Sequence, residues 1–209
     1  HYISTDKAVN PKSVMGATKR FSEKLVNSYN RDKIKKTVIV RFGNVINSDG
    51  SVLPIFKDQI EKGGPITLTD TRVTRYFMSI KEAVGLVLES GHLSNGGEFF
   101  VLNMGEPIKI LDIIKKMIKI YGLTEKINGN GDIEIKIIGL RKGEKLHEEV
   151  YYGLNKATSK NKDIFKDDDL QKVKYNDFSD ELKSIEIAIQ QNNINKIKST
   201  FEKYTNYVN

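Results

Sequence analysis

Three features of the 209-residue sequence predict an α/β fold built around a parallel sheet. Segments of strand character alternate with segments whose apolar residues recur at helical spacing, the order expected of βαβ units. Thr37-Val38-Ile39-Val40-Arg41-Phe42 is a β-branched run typical of a strand covered on both faces. A loop rich in Gly, Asn, Ser and Asp, Gly43 to Ser51, follows it, at the strand end where open α/β sheets hold their ligands.

Each element follows from local pattern. Tyr2-Ile3-Ser4-Thr5 reads as the end of a buried strand that runs into polar residues. After Pro11, Val14 to Tyr29 places Val14, Ala17, Phe21, Leu25 and Val26 at helical spacing. Leu53 to Lys62 is a short helix stopped by Gly63-Gly64-Pro65, and Ile66 to Thr69 is a short strand. Ile80 to Ser90 is helical, and Glu98 to Leu102 is a strand. Ile108 to Tyr121 is an amphipathic helix with Ile110, Leu111, Ile114, Met117 and Ile118 on one face. Ile133 to Ile138 alternates like a half-exposed strand, and Gly143 to Tyr152 is expected to be helical. From Gly153 the composition turns to Lys, Asn, Asp and Ser, a loose connection ending in helices over Asp180–Gln190 and Asn193–Tyr204.

Composition narrows the class. Hydrophobic residues are 38% and charged residues 29%, ordinary values for a soluble protein. No apolar run approaches the roughly 20 residues that span a bilayer. His1-Tyr2-Ile3-Ser4 lacks the basic and apolar regions of a signal peptide. The absence of cysteine excludes disulfides and thiolate chemistry, and fits a cytoplasmic location. The net charge of +7 comes from scattered lysines, without a compact basic block interleaved with aromatics, so no nucleic-acid partner is expected. His1, His92 and His147 do not pair at metal-ligand spacing, and His147 lies among Glu144, Glu148 and Glu149 on what reads as a solvated helix face. No metal is expected.

A dinucleotide fold opens with a strand, a Gly-x-Gly-x-x-Gly turn and a helix. Gly129-Asn130-Gly131 is the nearest match; it follows no convincing strand, lacks the third glycine and reads as a turn. The cofactor half of such a fold is therefore expected to be missing from this chain.

Chemistry concentrates near the N-terminus. Ser4-Thr5-Asp6-Lys7-Ala8-Val9-Asn10-Pro11 places a hydroxyl, an acid and a base at a strand end, though the same residue types also cap helices and fill turns. Val14-Met15-Gly16-Ala17-Thr18-Lys19-Arg20 then opens a helix, with Met15 and Lys19 four apart on one face. This resembles the Tyr-x-x-x-Lys helix of short-chain dehydrogenases, with Met where Tyr normally stands. The full string STDKAVNPxxVMGATKR is similar to the UDP-N-acetylglucosamine 4,6-dehydratases of capsule and flagellin-glycan synthesis, the polysaccharide biosynthesis proteins of the extended short-chain dehydrogenase/reductase superfamily. Met for Tyr marks one branch of them. The likeness continues through RFGNV (41–45), GSVLPIF (50–56), GGPITLTD (63–70), TRYFMSIKEAV (74–84), GGEFFVLNMGEPIKI (96–110) and GLRKGEKLHEE (139–149), spanning residues 2–152.

The resemblance implies the C-terminal part of a Rossmann-like doubly wound parallel sheet plus a small α/β substrate-binding domain. Residues 1–52 would belong to the Rossmann-like part, 53–152 mainly to the substrate region with some segments returning to the sheet, and 153–209 to a polar connection and C-terminal helices. It implies that Thr5 orients the sugar near its C4 hydroxyl, that Asp6 protonates the departing C6 hydroxyl, and that Lys7 removes the C5 proton. Lys19 would hold the nicotinamide ribose of NADP or NAD, with Phe42 and Gly43 beside the cofactor. Asn44, Arg75 and Arg141 would meet the substrate, the two arginines at its diphosphate, where a guanidinium fork suits phosphate. Glu144 would bond the ribose, and Leu53 and Pro54 would line the uracil site. A thioether accepts no proton at neutral pH, so Met15 either shapes the pocket or packs in the core, and the C4 proton passes to Asp6, Lys7, Thr5 or a water.

The reaction so implied is UDP-N-acetylglucosamine 4,6-dehydration, with this chain as the substrate-side half and a homo-oligomer as the full-length enzyme. A membrane-anchored region preceding it would place it at the cytoplasmic face. The alternatives are a 4-epimerase on the same scaffold, which needs no acid–base pair for C5 and C6, and a non-catalytic sugar-nucleotide-binding module.

Overall fold

The computed structural model describes residues 1–31, 37–48, 51–151, 157–167 and 175–207. In chain order the elements are strand β1 (Tyr2–Thr5), a 3-10 turn (Asp6–Ala8), helix α1 (Val14–Arg31), strands β2 (Ile39–Phe42) and β3 (Asn44–Val45), and helix α2 (Val52–Glu61). Strands β4 (Ile66–Leu68), β5 (Thr74–Arg75) and β6 (Phe77–Met78) lead to helix α3 (Ile80–Leu93). Strands β7 (Phe99–Leu102) and β8 (Ile108–Lys109), helix α4 (Ile110–Ile120) and strand β9 (Ile135–Ile137) follow. Strands β10 (Ala157–Thr158) and β11 (Ile164–Lys166) and helices α5 (Tyr175–Gln190) and α6 (Ile194–Thr205) complete the chain. Two compact units result: His1–Phe42 with Val84–Asn103 and Glu149–Asn209, and Gly43–Ala83 with Met104–Glu148.

The first unit holds a five-stranded sheet in the order β1-β2-β7-β11-β10. β1, β2 and β7 run parallel, with Thr5 opposite Phe42 and Arg41 opposite Val101. Val40, Phe100, Val101 and Leu102 are fully buried, as the β-branched and aromatic runs predict. Ser13 starts α1 by accepting a hydrogen bond on its hydroxyl from the Gly16 N–H at 3.1 Å. The inner face of α1 then meets the C-terminal helices: Phe21 packs edge-on against Phe178, Phe201 and Tyr204, with ring centroids 5.1, 5.9 and 5.7 Å away.

Below the end of β1 lies a buried charge network. The Arg41 guanidinium, fully buried on β2, donates to both carboxylate oxygens of Glu23 on α1, at 2.8 to 3.0 Å, and to Asp167 at 3.0 Å. It also donates to the Val150 carbonyl and lies 4.3 Å from the Phe99 ring centre. Glu23 accepts further bonds from Ser4 Oγ at 2.6 Å and Arg20 at 3.2 Å. Two arginines thus face two carboxylates, and the pairing supports charges that burial alone would strongly penalise.

The second unit is built on three two-stranded ladders, β3 with β6, β4 with β9 and β5 with β8. Its core joins Phe56 and Ile60 of α2, Ile66 and Leu68 of β4, Ile110, Ile114 and Ile118 of α4, and Ile133. Gly63 and Gly64, both at φ +83°, end α2 and return the chain into β4.

Several expectations change. Residues 143–151 are not helical, against the expected helix over Gly143–Tyr152: Gly143 turns the chain at φ +80°, and Thr74 bridges to His147, so backbone pairing competes with a helix there. His147 therefore sits beside β5 rather than on a helix face, and Tyr152 lies outside the described residues. Ile108 and Lys109 pair with β5, which delays the amphipathic helix to Ile110. The tail after Gly153 is not only a connection. Residues 153–156 lie outside the described residues, but β11 adds antiparallel to β7 and buries Ile164 completely. Gly129 and Gly131, at φ +87° and +110°, form a tight turn, as read from the sequence.

Phe21→Ala is expected to cost about 3–5 kcal/mol in urea unfolding, because its cavity opens among three aromatic rings. The Glu98 carboxylate accepts bonds from Ser94 Oγ and the Asn95 and Gly96 N–H groups; partial burial alone would raise its pKa, but these donors outweigh burial and hold it below the ordinary carboxylate range. A depressed folded-state pKa stabilises above the unfolded value, and that contribution is lost as pH falls through the folded one. Glu98→Gln is therefore expected to be less stable than the parent at neutral pH. Denaturation across a pH series is expected to show the gap closing in acid, below the ordinary carboxylate range.

Candidate functional site

In the first unit, the end of β1 turns directly into the acid–base cluster. Thr5 caps the 3-10 turn, its Oγ1 accepting from the Lys7 N–H and donating to Asp6 Oδ1 at 2.9 Å. Lys7 Nζ donates to the same Oδ1 at 2.9 Å. Asp6 is fully buried while Lys7 remains 30% exposed. Asp6 Oδ2, also buried, has no hydrogen-bond partner among the described residues. A buried carboxyl with one oxygen held twice and the other unpartnered keeps an acceptor position for a further donor.

Helix α1 carries the second part of the cluster. Met15 is 49% exposed, so it is not a core residue. Lys19, one turn further, donates to the Ile3 carbonyl at 3.2 Å and lies over the Tyr2 ring, 5.1 Å from its centre. Gly16 faces the turn itself, and a Cβ there would lie 2.3 Å from the Lys7 carbonyl oxygen, closer than real side chains approach. Phe42 ends β2 of this unit, partly exposed.

In the second unit, Gly43 donates its N–H to Met104 Sδ at 3.4 Å. Asn44 opens β3, and its N–H bonds the Tyr76 carbonyl at 3.1 Å, beside Arg75. Arg75 lies between two carboxylates, Glu144 at 3.1 Å and Glu148 at 3.9 Å, and donates to the carbonyls of Thr74 and Leu146. Glu144 also accepts from Thr69 Oγ1 at 2.9 Å and from the Arg141 N–H at 3.1 Å. The Arg141 side chain is exposed. Leu53 packs partly against the unit's core, whereas Pro54 is exposed, so the two face different surroundings on α2.

The structure thus joins Thr5, Asp6 and Lys7 by direct bonds, sets Met15 and Lys19 on the helix beside them, and ties Arg75, Arg141 and Glu144 into one cluster. Sequence reading missed Ser4, Gly16, Glu23, Thr69, Glu148 and Asp167. Spacing alone had one usable signal: Glu23 lies four residues beyond Lys19, one helical turn on. Among the described residues, no group of three or more His, Cys, Asp or Glu could hold a metal ion, and no helix is long and apolar enough to cross a membrane.

Known proteins resemble this chain in sequence and in fold. The family described as polysaccharide biosynthesis protein matches residues 2–168. The capsular polysaccharide biosynthesis protein CapD of Staphylococcus aureus is 56% identical over 149 residues, covering 71% of this chain and 24% of the relative. An inverting UDP-N-acetylglucosamine 4,6-dehydratase of Campylobacter jejuni is 39% identical over 150 residues, and a UDP-glucose 4-epimerase of Rickettsia canadensis 37% over 150; each covers 70% of this chain and 41% of the relative. A crystal structure of Pen from Bacillus thuringiensis superposes with a TM-score of 0.66 at 32% identity, covering 83% of this chain and 53% of that one. The chain spans less than half the length of these curated relatives. The fold is a Rossmann-like α/β fold. With residues 2–168 of 209 inside the match, the chain belongs to the polysaccharide biosynthesis protein family, whose named relatives include dehydratases and epimerases of nucleotide sugars.

Proposed function

We propose that the chain carries the acid–base turn and the substrate-contacting residues of a UDP-N-acetylglucosamine 4,6-dehydratase. The observation that carries this reading is the Asp6–Lys7 contact, with Asp6 buried and its Oδ2 open. A 4-epimerase needs no such pair.

A nicotinamide cofactor, NADP or NAD, fits the residues at the end of β1. Lys19 is a cation on a half-exposed helix face, and exposed Met15 leaves room beside it. When bound, that cofactor would supply hydride acceptor and donor chemistry for C4 and C6. The rest falls to this chain. Lys7 Nζ, as the amine, takes the C5 proton, which a C4 ketone makes acidic. Asp6 Oδ2 gives its proton to the C6 hydroxyl, which departs as water. That proton is the one released from the C4 hydroxyl on oxidation, which passes through Thr5 Oγ1 to the Asp6 carboxylate before water leaves. Met15 has no titratable group, and this path does its missing work. Lys7 returns its proton to C5 as the hydride arrives at C6, so protons and electrons balance and both side chains end as they began.

In the second unit, Arg75 and Arg141 serve the diphosphate and Glu144 the ribose. Ligand binding then exchanges the internal Glu144–Arg75 bond for bonds to phosphate and to ribose hydroxyls. Asn44 meets the sugar, and Leu53 and Pro54 the uracil. Catalysis belongs to the whole protein, since this chain lacks a glycine-rich cofactor turn among its described residues.

Calorimetry with UDP-N-acetylglucosamine is expected to detect binding to this chain. Arg141→Ala is expected to weaken it about 10- to 100-fold, the worth of a charge-assisted bond to phosphate; a folded chain that binds nothing removes the reading. In the whole protein carrying this segment, mass spectrometry of the product is expected to show the loss of one water. Asp6→Asn is expected to slow that reaction by roughly 10² to 10⁴, the usual contribution of a general acid. A product of unchanged mass would instead assign a 4-epimerase.

A further inference from the structure

Thr5, Asp6 and Lys7 are brought into contact within three successive residues, yet a short turn at a strand end does not hold its own geometry. Two features of α1 meet this turn from outside. The first is Glu23, which bonds Ser4, the β1 residue just before the turn. Ser4 Oγ donates to Glu23 Oε1 at 2.6 Å, and both residues are buried. The second is Gly16, whose missing side chain lets the helix backbone press against the Lys7 carbonyl. Neither contact involves the groups assigned above to proton transfer.

Glu23 cannot drift, because its carboxylate is itself fixed. Arg41 grips both of its oxygens from β2, Arg20 adds a third cationic donor, and Arg41 is held from its other side by Asp167 and the Val150 carbonyl. A carboxylate with that many charged partners in a buried site has one low-energy orientation. Its remaining bond goes to Ser4. The chain of contacts runs from the sheet through Arg41 and Glu23 to Ser4, and from Ser4 directly into the turn.

The geometry points to Glu23 as a positioning residue, which through Ser4, and together with the close approach at Gly16, sets the Lys7–Asp6 contact against α1. The inference rests on the functional reading for its purpose but not for its test, which needs no ligand.

The Lys7 ammonium can be followed by side-chain nitrogen NMR, assigned with Lys7→Arg. The Lys203 ammonium, paired with Glu181 at 2.7 Å in the same unit, is the internal control. Ser4→Ala is expected to speed hydrogen exchange at Lys7 roughly tenfold, the factor for one charged hydrogen bond loosened. Exchange at Lys203 is expected to stay unchanged, while the thermal midpoint falls by some degrees with the loss of a buried hydrogen bond. Ser4→Thr, which keeps the hydroxyl, is expected to restore slow exchange at Lys7. Gly16→Ala is expected to act like Ser4→Ala, and it carries the test should Ser4→Ala fail to fold. A folded Ser4→Ala or Gly16→Ala chain with unaltered Lys7 exchange overturns the inference, as does equal acceleration at Lys7 and Lys203. Lack of UDP-N-acetylglucosamine binding by the parent chain would instead sink the functional reading and leave this result standing.

Discussion

The buried bond between Arg41 and Glu23 is the constraint on which the first unit turns. It links β2 to α1 at the level where β1 ends, and it draws in Asp167 and Val150 from the far end of the chain. Such a pair contributes little net stability over a well-packed apolar substitute, because two charges must leave water to make it. Removing one partner is another matter, since the charge left behind is buried without compensation. The network therefore specifies an arrangement more than it strengthens one. What it specifies is how α1 lies against the strand that delivers Thr5, Asp6 and Lys7.

The two clusters of polar residues differ in kind. In the acid–base turn, burial is uneven: Asp6 is fully enclosed, and its neighbour Lys7 reaches solvent. That asymmetry suits a pair that must hand protons to a substrate on one side. In the second unit, Arg75 is already surrounded by carboxylates and carbonyls, so the diphosphate proposed for it would compete with internal partners of similar strength. Exchange of one charged bond for another keeps the net gain on binding modest, which favours release after reaction.

The family match ends at residue 168, and the helices beyond it pack on α1 through Phe178, Phe201 and Tyr204. The face of α1 that they cover is the one opposite in purpose to that bearing Met15 and Lys19. Apolar packing on one side and fixed charge below thus hold the helix that presents Lys19.

The sequence by itself determined the alternation of elements, because side-chain periodicity and β-branching act locally: β2, β7 and α1 stand where their patterns put them, and α4 begins two residues later than its pattern. It also marked Thr5, Asp6, Lys7 and Lys19, because their order along the chain is their order in the cluster. Tertiary structure alone decided the rest. Residues 143–151 gave up a helix for pairing with β5, since a backbone partner across the unit outcompeted local propensity. β11 joined the sheet from a stretch too short and polar to be legible, because one buried Ile164 and a free edge at β7 sufficed. The partnership of Ser4, Glu23, Arg41 and Asp167 spans more than 160 positions of sequence. No local pattern encodes such a partnership, because the low-dielectric interior that makes it strong exists only once the chain has folded.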